Sequence, residues 1–146
     1  MKKFIILLIV TFFIGVIPSL LVGNDVTGLI LPKFYPPKIL FPIMWSILYL
    51  LMTISVYLAT KNSDDAYKIY FIQLIVNAFW TVIFFGLKLR LLAFLWIIFL
   101  FILVLVVIMI IKFYKENKNA GLLQIPYIIW LLIAMYLNLS IYLLNM

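Results

Sequence analysis

Five stretches of this chain run for about the length of a bilayer-crossing helix without a Lys, Arg, Asp, Glu or His: Phe4–Val22, Ile39–Ala59, Ile69–Leu87, Leu91–Ile111 and Leu122–Met146. That feature constrains the fold more than any other. A chain of 146 residues that is 69% hydrophobic and 10% charged cannot bury so much apolar surface against itself, because a domain of this size keeps a large part of its surface outside. The surrounding medium must therefore be lipid. The runs lack the alternation that a transmembrane β-barrel requires, so the expected fold is an all-α integral membrane protein, a five-transmembrane-helix bundle in one domain spanning 1–146. The helices are expected at about 4–22, 39–59, 69–87, 91–111 and 122–144, with one long loop at 23–38. The first run is too long for a signal-peptide core and no small-residue cleavage pattern follows it, so it is read as a retained span.

The polar residues are few, and their placement excludes much chemistry. There is no Cys and no His, and only Asp25, Asp64, Asp65 and Glu116 are acidic. Disulfides, thiolate nucleophiles, haem ligation through His and clustered metal ligands are all out of reach, so no metal and no cofactor is expected. The formal net charge is +7. In a soluble chain that would suggest nucleic acid, but here the cations occupy the gaps between apolar runs, where they set topology and meet lipid headgroups. No nucleic-acid partner is expected. The absence of charge inside the spans also argues against a proton pump or an ion-coupled carrier.

What the spans do carry is aromatic and amide side chains at helical spacing. Asn77, Trp80, Thr81 and Phe84 follow i, i+3, i+4, i+7 and share one face. Trp45 and Tyr49 are paired at i, i+4, and Tyr127, Trp130, Ala134 and Asn138 follow i, i+3, i+7, i+11. At 1.5 Å per residue, Trp45 and Trp80 lie roughly 9–10 Å below the loop-side boundary, deeper than the headgroup belt in which Trp96, Tyr67, Tyr70 and Tyr114 are expected. Buried indoles and amides in hydrocarbon need partners, either each other or a ligand. Three stripes at one depth predict a cavity between the second, third and fifth spans for a large, flat, apolar ligand. The segment Pro32-Lys33-Phe34-Tyr35-Pro36-Pro37 is expected to form a stiff lid above it, through Pro32, Phe34, Pro36 and Pro37.

That same segment, followed by Phe41-Pro42-Ile43-Met44-Trp45 and Leu48-Tyr49, resembles the first signature of the tryptophan-rich sensory protein / translocator protein family (TspO/MBR, peripheral benzodiazepine receptor). Gln73-Leu74, Asn77, Trp80 and Phe84-Phe85 resemble its third-helix pattern. Pro126-Tyr127, Trp130, Ala134 and Leu137-Asn138 resemble its fifth-helix pattern. The resemblance implies a membrane receptor or sensor that binds porphyrins, haem and synthetic aromatic ligands, often as a homodimer. Its pocket would include Trp45, Tyr49, Asn77, Trp80, Trp130, Ala134 and Asn138, with Phe84 and Tyr127 on the same stripes. Some bacterial relatives degrade protoporphyrin in light through tryptophans that match Trp45 and Trp130. An enzyme of that kind is one alternative reading; a tetrapyrrole facilitator and a purely structural membrane partner are others. Animal relatives bind cholesterol through a C-terminal motif that needs Lys or Arg after a Tyr. Here Tyr142 is followed by Leu-Leu-Asn-Met, which argues against cholesterol as a partner through that motif. Phe34 stands where many relatives have Trp.

Orientation follows from the cations. Lys2, Lys3, Lys61, Lys68, Lys112, Lys115 and Lys118 fall on one side, and Lys33, Lys38, Lys88 and Arg90 on the other. The positive-inside rule places the N-terminus in the cytoplasm, with a bacterial plasma membrane as the expected host. A reporter active only outside the cytoplasm, fused after Met146, should therefore be active, and a folded cytoplasmic fluorophore at the same place should be dark. The reverse pattern would invert the topology.

Overall fold

The computed structural model describes residues 1–61, 64–107 and 109–146. Helices α1 (Lys2–Val22) and α2 (Leu40–Ala59) form the first two crossings. The third is α3 (Asp65–Thr81), prolonged by a π turn over Val82–Gly86. The fourth begins as α4 (Arg90–Ile102) and passes into a second π turn, Leu103–Val107. Helix α5 (Met109–Glu116) and the short α6 (Lys118–Leu122) lead into α7 (Ile125–Leu144), the last crossing. Four of these segments are long and apolar enough to span a bilayer, and the Arg90–Leu105 segment is a shorter apolar helix. No strand occurs among the described residues. The chain is a multi-pass integral membrane protein.

The element ends depart from the sequence expectation in two places, each for a local reason. Helix α3 starts at Asp65, because charged residues at a helix N-terminus leave the hydrocarbon without breaking the helix, and an acidic group in the first turn suits the helix dipole. Part of the expected link at 61–68 is therefore helical; its Asn62 and Ser63, like Ile108 of the fourth run, lie outside the described residues. The link expected over Lys112–Asn119 is also mostly helical. It is interrupted at Asn117, whose side chain accepts from the backbone N–H groups of Asn119 (3.0 Å) and Ala120 (3.2 Å) and so caps α6. Pro42 and Pro126 sit within the first turns of α2 and α7, where a missing N–H costs nothing. Pro18 lies inside α1 and removes one intrahelical bond near its loop-side end.

Helix α1 packs against α2 and α3, α3 against α4, and α4 against α7. The main core holds Leu48, Met52, Val56, Tyr70, Leu74, Ile97, Leu100, Tyr127 and Leu131; a smaller cluster of Ile83, Phe84, Ala93 and Ile141 closes the loop-side end. Ile5, Ile9, Phe13, Leu95, Phe99, Ile129 and Leu132 remain exposed, the outward surface expected of helices solvated by lipid. Polar side chains inside the bundle bond across helices. Thr11 pairs with the Tyr70 hydroxyl, Ser55 donates to the Ala120 carbonyl (2.6 Å), and Gln124 Nε2 donates to Ser55 (2.7 Å). Tyr70, expected in the aromatic belt, is thus fully buried as an interhelical tie. Trp96 likewise donates to the Val76 carbonyl at 2.8 Å.

The long loop is pinned to the far end of the chain. Asn145 accepts from the Ile30 N–H (2.8 Å) and donates to the Ile30 carbonyl (2.9 Å). Gly23 and Gly28 supply the positive φ angles of 76° and 82° that turn the loop back over the bundle. Asp25 accepts from both the backbone N–H and the hydroxyl of Thr27, and these hydrogen bonds, chiefly the side-chain one, hold its carboxyl below the usual carboxylate range.

Candidate functional site

Under the loop, α1, α2, α3 and α7 enclose a cavity of about 270 Å³. On α2, Phe41, Trp45 and Tyr49 recur every four residues and face inward together. Trp45 stacks on Tyr49, with ring centroids 5.5 Å apart and planes 28° apart, and meets Trp130 of α7 edge-on at 6.5 Å and 88°. Phe41 meets Trp130 edge-on at 5.9 Å. These wide rings hold α2 and α7 apart, leaving space between the two helices instead of a seam.

The opposite wall comes from α3 and its π turn. Asn77, Trp80 and Thr81 line the cavity from the helix, and Phe84 and Phe85 from the π turn. The wider π winding lets these two successive rings both reach the lining, and such turns recur at functional sites. Trp80 stacks on Phe84 (5.2 Å, 24°), and Phe85 meets Phe84 edge-on at 4.7 Å. Trp80 Nε1 donates to Asn138 Oδ1 at 3.0 Å, and Asn138 Nδ2 donates to the Arg90 carbonyl at 2.8 Å. One amide side chain thus joins α3, α7 and the start of α4. Trp130 lines the cavity with its ring, while its Nε1 is buried and has no protein partner.

Of the residues singled out in the sequence, Trp45, Tyr49, Asn77, Trp80, Phe84, Trp130, Ala134 and Asn138 line this one space. Tyr127 does not; it is fully buried behind Trp45, with ring centroids 6.5 Å apart. The proline segment contributes differently from the expectation. Pro32 is buried in the loop, Phe34 points outward at 75% exposure, and neither they nor Pro36 and Pro37 reach the cavity. Its cover is instead Asn24, Val26, Tyr35 and Lys38. Tyr35 rests on Phe41 (5.5 Å), and burial pushes its phenol above the ordinary value, keeping it a hydroxyl donor at neutral pH. Among the described residues Lys38 is the single charged side chain in the lining.

Helix α1 supplies a wall that the stripes did not reveal, through Gly15, Val16 and Ser19. The Tyr49 hydroxyl donates to the Gly15 carbonyl at 3.3 Å, and a Cβ at Gly15 would fall inside the Tyr49 ring. The one available signal was the pair of small residues four apart in an otherwise bulky helix.

The family model for the TspO/MBR family matches residues 4–144. The chain belongs to the TspO/MBR family. Among its curated relatives, the tryptophan-rich protein TspO of Archaeoglobus fulgidus is 39% identical over 118 residues, covering 78% of this chain and 75% of that protein. Protein CrtK of Rhodobacter capsulatus is 37% identical over 125 residues, covering 78% and 74%. The tryptophan-rich sensory protein of Cereibacter sphaeroides is 32% identical over 114 residues, covering 73% and 68%.

In this TspO/MBR chain, Asn138→Leu leaves the Trp80 N–H and the Arg90 carbonyl without partners in a water-poor site. The expected loss is about 1–3 kcal/mol of stability, read as a lowered unfolding midpoint in detergent. Asn145→Leu, which frees loop groups that water can reach, should cost less. Equal losses would mean that Asn138 does not tie the three helices.

Proposed function

We propose that the protein is a membrane receptor or sensor that binds porphyrin-type and other flat apolar ligands in the cavity between α1, α2, α3 and α7. One observation carries this reading: an apolar space inside the bundle walled by the rings of Trp45, Tyr49, Trp80, Phe84 and Trp130. Burial of a flat ring against Trp45, Trp80 and Trp130 stabilises the complex by roughly 25 cal/mol per Å² of apolar surface, with a further contribution from aromatic pairing. The Asn77 amide supplies direction, since it can bond a ring nitrogen or carbonyl. A cytoplasmic N-terminus, a bacterial plasma membrane and a homodimer complete the proposal; cholesterol binding through the C-terminal motif is not part of it.

A second reading rests on the Trp45–Trp130 contact. Two easily oxidised indoles meet at one wall of the cavity. A bound pigment that absorbs light could be oxidised there by dioxygen, with the ligand supplying the reactive chemistry.

Quenching of tryptophan fluorescence by protoporphyrin IX, titrated in nanodiscs, tests the first reading, and repeating the titration under illumination tests the second. Asn77→Leu and Trp130→Ala are each expected to weaken binding tenfold or more. Lys33→Ala should change it a few-fold at most, because Lys33 is exposed and absent from the lining. A dominant lysine with silent deep residues would move the ligand to the membrane surface. Light-driven loss of the porphyrin band in wild type, abolished by Trp45→Phe or Trp130→Phe, would favour the enzyme; a stable band in wild type would exclude it.

A further inference from the structure

A second concavity, of about 370 Å³, opens on the loop side between the long loop and the turn that joins the Val82–Gly86 π turn to α4. Its chemistry is the opposite of the first. Lys88, Arg90, Asp25 and Thr27 line it, and Phe85 is the one side chain that lines both spaces. The two sites share more than this ring. The Arg90 guanidinium lies 5.7 Å from the centroid of Phe84, a cavity residue, and the Arg90 carbonyl receives the hydrogen bond from Asn138, another cavity residue. The cation is therefore one aromatic ring away from the apolar space.

The basin is short of anions. Among the described residues neither Lys88 nor Arg90 makes an ion pair. Arg90 Nε is sheltered without a partner, and Nη1 reaches only the Lys88 carbonyl at 3.4 Å. The one carboxylate lining it, Asp25, accepts from the N–H and hydroxyl of Thr27 and also feels the charges of Lys38 and Lys88, so it offsets Lys88 only in part and the cations outnumber it. Lys88 is held at a φ of 58°, the left-handed region that side-chain-bearing residues rarely adopt. That conformation ends the π turn, where the Leu89 N–H bonds back to the Ile83 carbonyl at 3.1 Å, and it turns the chain so that Lys88 and Arg90 both line the basin. The inner cavity, at 270 Å³, is below the usual range of sites for drug-sized ligands, so a macrocycle seated there extends beyond it.

We propose that the Lys88–Arg90 basin takes the carboxylate end of a ligand whose flat apolar body fills the aromatic cavity, with Phe85 as the wall between them. This rests on the reading of that cavity as a ligand site, and it specifies the ligand class as an amphiphile with an acidic tail. Arg90 has the planar fork that matches a carboxylate, and Lys88 adds a second charge. Lys38, at the cavity mouth, is the competing cation.

The test compares protoporphyrin IX with its dimethyl ester, which has the same ring and no charge, by tryptophan quenching in nanodiscs of neutral lipid. Wild type should prefer the diacid by about tenfold, the ratio that one charge-assisted hydrogen bond supplies. Lys88→Asn with Arg90→Gln should abolish the preference by lowering diacid affinity about tenfold and ester affinity by much less; Asn tolerates the left-handed backbone, so this variant keeps the turn. Arg90→Lys should restore part of the preference, and Lys38→Gln should reduce it far less than the double variant does. Equal binding of diacid and ester by wild type would overturn the proposal while leaving the cavity reading in place. So would a preference that survives the double variant or vanishes with Lys38→Gln. If neither compound binds, the cavity reading falls and this inference with it.

Discussion

The hydrogen bonds from the Trp80 indole to Asn138, and from Asn138 to the Arg90 carbonyl, hold three helices at one depth in a medium that offers no water as a substitute. Much of the loop-side half of the bundle depends on them. They set α3 against α7 and anchor the start of α4. The wide rings of Phe41, Trp45 and Trp130 then keep α2 from closing on α7. The cavity is what remains when polar ties fix the helices and aromatic side chains prevent them from meeting. The half away from the long loop uses the same logic to the opposite end: Ser55, Gln124 and the Ala120 carbonyl bond directly, and Gly121 lets α6 approach Tyr114 closely.

The arrangement assigns two chemistries to two spaces. The inner one is apolar apart from amides and indole N–H groups, and it has one charge at its mouth, Lys38. A charged ligand placed wholly inside it would lose its hydration without an ion partner, which is costly in a low-dielectric site. A flat neutral body loses nothing of that kind and gains the ring contacts. The basic basin beside Phe85 offers charge where water still reaches, so an acidic group there keeps part of its solvation.

The membrane fold was legible because its signal is coarse: about 20 residues without charge, five times over. The site was legible wherever it rested on helical period, as with Asn77–Trp80–Phe84 and Trp45–Tyr49, since residues at i, i+3 and i+4 must share a face. It was not legible where geometry depends on contact between elements. The small pair Gly15 and Ser19 hints at a close approach along α1, but only the contact between helices shows that Gly15 makes room for the Tyr49 ring. Phe34 and Tyr35 are neighbours of similar character, and only the turn closed by the Tyr35 N–H to the Pro32 carbonyl decides that Tyr35 faces in and Phe34 out. The π turn that brings Phe84 and Phe85 into one lining has no residue signature, and the Lys88–Arg90 turn read as topology alone.

On the proposed function, a flat ligand sits inside the bundle, between the tryptophans. Crystals grown from a lipidic phase with zinc protoporphyrin would test it most directly, through the anomalous signal of the metal. The account predicts one strong zinc peak between α2, α3 and α7, within contact of the Trp45 and Trp130 rings. A peak on the outward faces of Ile9, Phe99 or Leu132, with the cavity empty, would contradict it.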